Sequence, residues 1–182
     1  MKKRNNKKEF NLYDLLIRYL ILIILGVFIG VFYKGFAPLT IYPVYFILNL
    51  FYPVYLLSNI LMVNSTIIEI ISACIASSAY YLFIILNLST PDIETKKRIK
   101  MLLIAFLSFL ILNILRIVFL SMLYVSGSSL FDFTHELFWY VISVVFVVGI
   151  WFAQVKYYKI KTIPFYSDLK LIYNLSLFKR KN

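Results

Sequence analysis

The sequence predicts an all-α fold: a polytopic membrane helical bundle with about four to six membrane segments. Three observations carry this. Of the 182 residues, 62% are hydrophobic and only 15% are charged, with a mean hydropathy of +0.86, whereas a soluble domain has about 25% charged residues to cover its surface. The apolar residues fall in runs long enough to cross a bilayer, which takes about 20 residues. All but two of the 19 Lys and Arg residues cluster in three places beside or between those runs. The net charge of +11 therefore reads as membrane topology and contact with anionic headgroups, and not as a nucleic-acid surface. The chain makes one integral membrane domain: a basic N-terminus 1–12, a membrane core 13–155 and a basic amphipathic tail 156–182.

The first candidate span is Leu15–Tyr33. No small-x-small site follows it, so it reads as a span and not as a cleaved signal peptide. The next stretch, Phe36–Leu57, carries Pro38, Pro43 and Pro53 among many tyrosines. Proline breaks helices and tyrosine favours the interface, so a re-entrant or interfacial segment is expected here. A more polar connection, 58–72, precedes a third candidate, Ala73–Leu88. The aqueous loop STPDIETKKRIK leads to a fourth, Met101–Tyr124, and the short loop VSGSSLFDFTHE to a fifth, Leu137–Val155. The tail is expected on the membrane surface, with Ser167 or Asp168 capping a helix after Pro164.

The three basic clusters are Lys2–Lys8 with Arg18, Lys96–Lys100, and the tail from Lys156 to Lys181. The positive-inside rule puts all three in the cytoplasm of a multi-pass plasma-membrane protein, with both termini inside. An even number of crossings must then separate the N-terminus from the 91–100 loop. This places Cys74, the single cysteine, at the outer start of the third candidate span.

Two other unusual residues share that level. Arg116 lies fifteen residues beyond Met101, about 22 Å along a helix, in the outer part of a core about 30 Å thick. An arginine there needs a partner, a wet cavity, or a path for snorkelling to the headgroups. Asn113, one turn earlier, can help solvate it. His135, the single histidine, falls in the last outer loop between Asp132 and Glu136. With Glu69, these carboxylates can orient an imidazole, but they make a poor metal set, so neither metal nor cofactor is expected. Taken singly, Cys74 reads equally as a small buried hydrophobe and His135 as a solvated loop residue. Together, a thiol, a base and a fixed cation on one side of a bilayer are the parts of cysteine acyl transfer.

The ordered set SAC at Ser72–Cys74, NILR at Asn113–Arg116 and THE at Thr134–Glu136 resembles the exosortase/archaeosortase family of membrane-embedded cysteine transpeptidases, over roughly residues 64–153. The family pattern A-C-[ST]-G reads ACIA here, with Ile75 and Ala76 departing from it. The resemblance implies Cys74 as nucleophile, His135 as general acid and base, and Arg116 as oxyanion or substrate clamp, with Asn113, Asp132 and Glu136 in support. It implies a substrate class: secreted proteins with a C-terminal sorting signal made of a motif, a transmembrane helix and a basic end. Cleavage outside the cytoplasm would pass them to a lipid or surface acceptor. Two rivals stand beside it. One is a non-catalytic membrane scaffold or a subunit of an export or transport complex. The other is a lipid-modifying acyltransferase with Cys74 as acyl carrier. Asn64-Ser65-Thr66 is also a glycosylation sequon on the expected outer side.

Overall fold

The computed structural model describes residues 12–175. The basic N-terminal cluster up to residue 11, with Lys179, Arg180 and Lys181, lies outside the described residues. Helix α1 (Leu12–Val27) ends in a turn at Phe28 and Ile29, and α2 (Gly30–Asn49) continues from it. A three-stranded antiparallel sheet follows, β1 (Val54–Leu57), β2 (Ile60–Val63) and β3 (Thr66–Glu69), in the order β1-β2-β3. The one-turn helix α3 (Ser72–Ile75) leads into α4 (Ser77–Leu88), and the long α5 (Thr95–Val125) runs back. Helix α6 (Phe131–Leu137) passes through a π turn at Phe138–Ile142 into α7 (Ser143–Tyr157), and α8 (Tyr166–Leu175) closes the described chain.

The chain is thus mostly helical, but it is not all-α. The sheet occupies the stretch expected to be an irregular connection. Among the described residues, three helices are long and apolar enough to cross a membrane: Gly30–Asn49, Thr95–Val125 and the continuous Phe131–Tyr157. That is fewer than the four to six expected; Ser72–Leu88 is apolar but shorter, and broken at Ala76. The outward faces of these helices stay apolar. On α5, Leu103, Leu107, Ile111 and Leu115 recur every four residues and are all more than half exposed, the inverse of a helix that presents its polar side to water. This is compatible with a surrounding bilayer.

The expected break at Pro38 and Pro43 does not occur, because α2 carries both prolines inside it. Each removes one ladder bond. Ala37, Ile41, Val44 and Leu48 pack from the same helix against Val54, Leu61, Val63, Ile114, Ile117 and Val118, and that burial offsets the loss. The helix stops before Pro53, where the sheet begins. Ser58-Asn59 and Asn64-Ser65 form the two hairpin turns, with Ser58 and Asn64 at positive φ, as tight two-residue hairpins require. In mid-bundle an aromatic cluster joins α2, α4 and α5: Phe36 stacks on Tyr80 at 3.6 Å between centroids, and Phe106 and Phe109 meet Tyr80 edge-on. Gly26 lets α1 approach α4, since a Cβ there would fall 2.6 Å from the Tyr81 hydroxyl, which donates to the Leu22 carbonyl at 2.8 Å.

Polar contacts hold Arg18, Lys97 and Arg98 at one end of the bundle. Arg18 donates to Asp168 at 2.9 Å and to the Leu88 carbonyl at 2.7 Å, and Tyr19 donates to the other Asp168 oxygen. Arg98 donates to the carbonyls of Asn87 and Thr90, and Lys97 to that of Tyr158. Asp168 therefore ties α8 to α1 and is no helix cap, while Ser167 Oγ accepts the Ile163 N–H ahead of the helix. The Arg18–Asp168 side chains are 11% and 2% exposed, and removing one member of such a buried pair costs about 3 kcal/mol. Asp168→Ala is expected to destabilise the protein by about that amount and to speed trypsin cleavage at Lys159 and Lys161, read by limited proteolysis in detergent.

Candidate functional site

Cys74 sits in α3, a single turn set off from α4 by Ala76. Ala76 has φ 55° and ψ 46°, a left-handed conformation that costs a residue with a Cβ about 1–2 kcal/mol. The family pattern quoted above has glycine at this position, so the departure in the sequence falls on a backbone conformation that glycine favours. The bend lets Cys74 leave the axis of α4. Asn113 Nδ2, on α5, donates to the Cys74 carbonyl at 2.9 Å. Asn113 is buried and thus binds α3 to α5, instead of solvating Arg116 as its spacing led one to expect.

Arg116 is 6% exposed on α5. Its Nη1 donates to Ser143 Oγ at 2.9 Å, and that hydroxyl donates to the Phe138 carbonyl at 2.7 Å. The π turn supplies this arrangement. Its widened ladder leaves the Phe138 carbonyl to accept the Ser143 N–H five residues on, and Ser143 faces α5 from there. Among the described residues, the buried Arg116 Nε has no hydrogen-bond partner.

His135 lies in helix α6 and not in a loop. Its ring stacks on Phe131 at 5.4 Å and meets Trp139 edge-on at 6.0 Å. Phe131, His135 and Trp139 are four residues apart and share one helical face.

Cys74, Arg116 and His135 line one cavity of about 330 Å³, between β3, α3, α5 and α6. Ile67–Ile70, Ser121, Tyr124 and Phe131 complete the walls that matter here. Its carboxylate is Glu69, whose Oε1 accepts from Asn59 Nδ2 at 3.2 Å. Asp132 and Glu136, chosen as supports because they flank His135 in sequence, are exposed and do not line it. Among the described residues no group of three His, Cys, Asp or Glu side chains could hold a metal ion. A second cavity of about 570 Å³ adjoins on the far side of Arg116, lined by Gly30, Tyr33, Ser72, Ala73, Ser77, Trp139 and Ser143 among others. Arg116 is common to both.

Sequence reasoning missed Ser143 as the arginine's partner and Ser121 in the cavity wall. Ser143 is the one polar residue within the apolar run 137–150 that follows His135, which is the signal that marks it. No family model matches the chain, and neither does any curated protein or solved structure.

Two outcomes test this geometry. Ala76→Gly is expected to stabilise the fold by about 1 kcal/mol by relieving the left-handed alanine, seen as a raised Tm. Asn113→Leu keeps the volume but leaves the Cys74 carbonyl unmatched, and is expected to cost about 2 kcal/mol. It should also change the alkylation rate of Cys74.

Proposed function

We propose that the protein is a membrane cysteine transpeptidase, acting on secreted proteins with a C-terminal sorting signal. The observation that supports it most is the convergence of Cys74, Arg116 and His135 on one cavity, from three segments separated by about 20 to 40 residues in sequence. Cys74 is the sole cysteine, His135 the sole histidine, and Arg116 a buried cation in an apolar helix. A chain that needed only a packed core has no use for meeting the cost of that charge here.

The reaction runs in two displacements. His135 takes the Cys74 proton, and the thiolate attacks the peptide carbonyl to form a tetrahedral oxyanion. Arg116, which lines the same cavity as Cys74, stabilises that charge. Collapse breaks the C–N bond, and the imidazolium returns its proton to the departing amine, leaving a thioester on Cys74. An acceptor nucleophile at a lipid or surface group then gives up its proton to His135 and takes the acyl group, restoring the thiol. The basic end of the bundle lies in the cytoplasm by the positive-inside rule, and the cavity at the opposite level lies outside.

Expression of wild type and Cys74→Ala at equal levels in the source cells, followed by mass spectrometry of surface-protein C-termini, tests the reading. Removal of terminal apolar helices in wild type and their retention in Cys74→Ala is the expected result, and Arg116→Gln and His135→Gln should each slow processing at least about 100-fold. Equal processing in wild type and Cys74→Ala sinks the proposal and favours the scaffold or transport-subunit reading. Lipid in place of protein on Cys74 favours the acyltransferase.

A further inference from the structure

The cavity that holds Cys74 is lined by four consecutive residues, Ile67, Ile68, Glu69 and Ile70. Side chains of a strand alternate between its two faces, so a cavity that touches every residue in turn runs along the strand's edge. β3 is an edge strand, with only β2 beside it. The register sets which backbone groups are on that edge. Ile68 pairs with Leu61 and Thr66 with Val63, and the Ile70 N–H donates to the Asn59 carbonyl at 2.9 Å. Antiparallel ladders alternate, so Thr66, Ile68 and Ile70 turn their N–H and C=O groups to β2. Ile67 and Glu69 turn theirs away from β2, along the edge that the cavity follows.

We propose, resting on the transpeptidase reading, that the substrate binds as an extended peptide strand paired to the open edge of β3, which carries its scissile carbonyl to Cys74. The outward N–H and C=O of Ile67 and Glu69 present the repeat that a peptide backbone matches and that a lipid chain or an apolar helix leaves unmatched. Ile67 is exposed, and Glu69 is fixed by Asn59 at the mouth. Cys74 follows β3 after one short link, Ile70–Ala73, so the edge runs on to the thiol. Recognition through main chain leaves side-chain choice to the walls of the groove, which are Tyr124, Phe131 and Leu120 on one side and Glu69 at the rim.

The test uses the full chain in detergent and two thiol reagents. One is a tri-alanine chloromethyl ketone, in which the Cys74 thiolate displaces chloride to form a thioether. The other is iodoacetamide, which has no strand to pair. Ile67→Pro removes an outward N–H and leaves the β2 ladder untouched. It is expected to slow labelling by the peptide reagent about 10-fold, the loss of one backbone hydrogen bond, while iodoacetamide labelling stays within about twofold. Methylating the mid-chain amides of the peptide reagent should slow labelling of the wild type likewise, which decides the matter even if the proline variant fails to fold. Equal rates for the methylated and unmethylated peptides on the wild type overturn edge pairing. These rates do not depend on acyl transfer. Cellular processing that is equal in wild type and Cys74→Ala while the methylated peptide still labels slowly rejects the transpeptidase and leaves the strand site standing.

Discussion

Placing a guanidinium inside an apolar helix is the constraint around which the outer half of this bundle is built. Arg116 cannot be left in hydrocarbon without a partner, and the fold answers from another helix. α7 does not simply continue α6. The chain widens into a π turn at Phe138–Ile142, and the residue that ends the turn, Ser143, supplies the hydroxyl that Arg116 reaches. Such turns commonly mark functional positions, because they spend regular helical bonding to redirect a side chain. The same turn leaves Trp139 against His135, so one local irregularity positions the neighbours of both Arg116 and His135.

Cys74 is placed by a comparable device. A regular helix from Ser72 to Leu88 would hold the thiol on the α4 axis. The left-handed Ala76 divides the segment instead, and Asn113 fixes the detached turn to α5 through the Cys74 carbonyl. Asn113 and Arg116 are three residues apart on one helix. A single face of α5 therefore anchors the Cys74 backbone with one residue and presents the cation with the other.

The long apolar helices were legible because a 20-residue run has few alternatives; α5 and the Phe131–Tyr157 helix contain the expected spans Met101–Tyr124 and Leu137–Val155. The convergence of three residues was legible from their shared level. The sheet was not, although Ser58-Asn59 and Asn64-Ser65 stand six residues apart between runs of aliphatic and β-branched residues, as a pair of tight hairpins demands. Their high hydropathy concealed them, since alternation disappears when both faces of a strand carry Leu, Ile, Val and Tyr. Pro38 and Pro43 misled for the opposite reason: local propensity argued for a break, and packing of α2 against the sheet and α5 overrode it. Such tolerance is common where neighbouring elements enclose the helix. Asp132 and Glu136 flank His135 in sequence yet stay exposed outside the cavity, whereas Glu69 reaches it from a strand 66 residues earlier.

The cations at the two ends of the bundle are held differently. At the basic end, Arg18, Lys97 and Arg98 each meet a carbonyl or a carboxylate: the carbonyls that end α4, the Tyr158 carbonyl and Asp168. Those bonds close helix ends that would otherwise leave carbonyls unmatched, and they fix α1, α4, α5 and α8 to one another. At the other end Arg116 donates to Ser143, its buried Nε has no hydrogen-bond partner among the described residues, and it stands between two cavities. A cation that lines open volume on two sides is suited to a charge that arrives from outside the chain, and in the proposed reaction an oxyanion formed at Cys74 is such a charge.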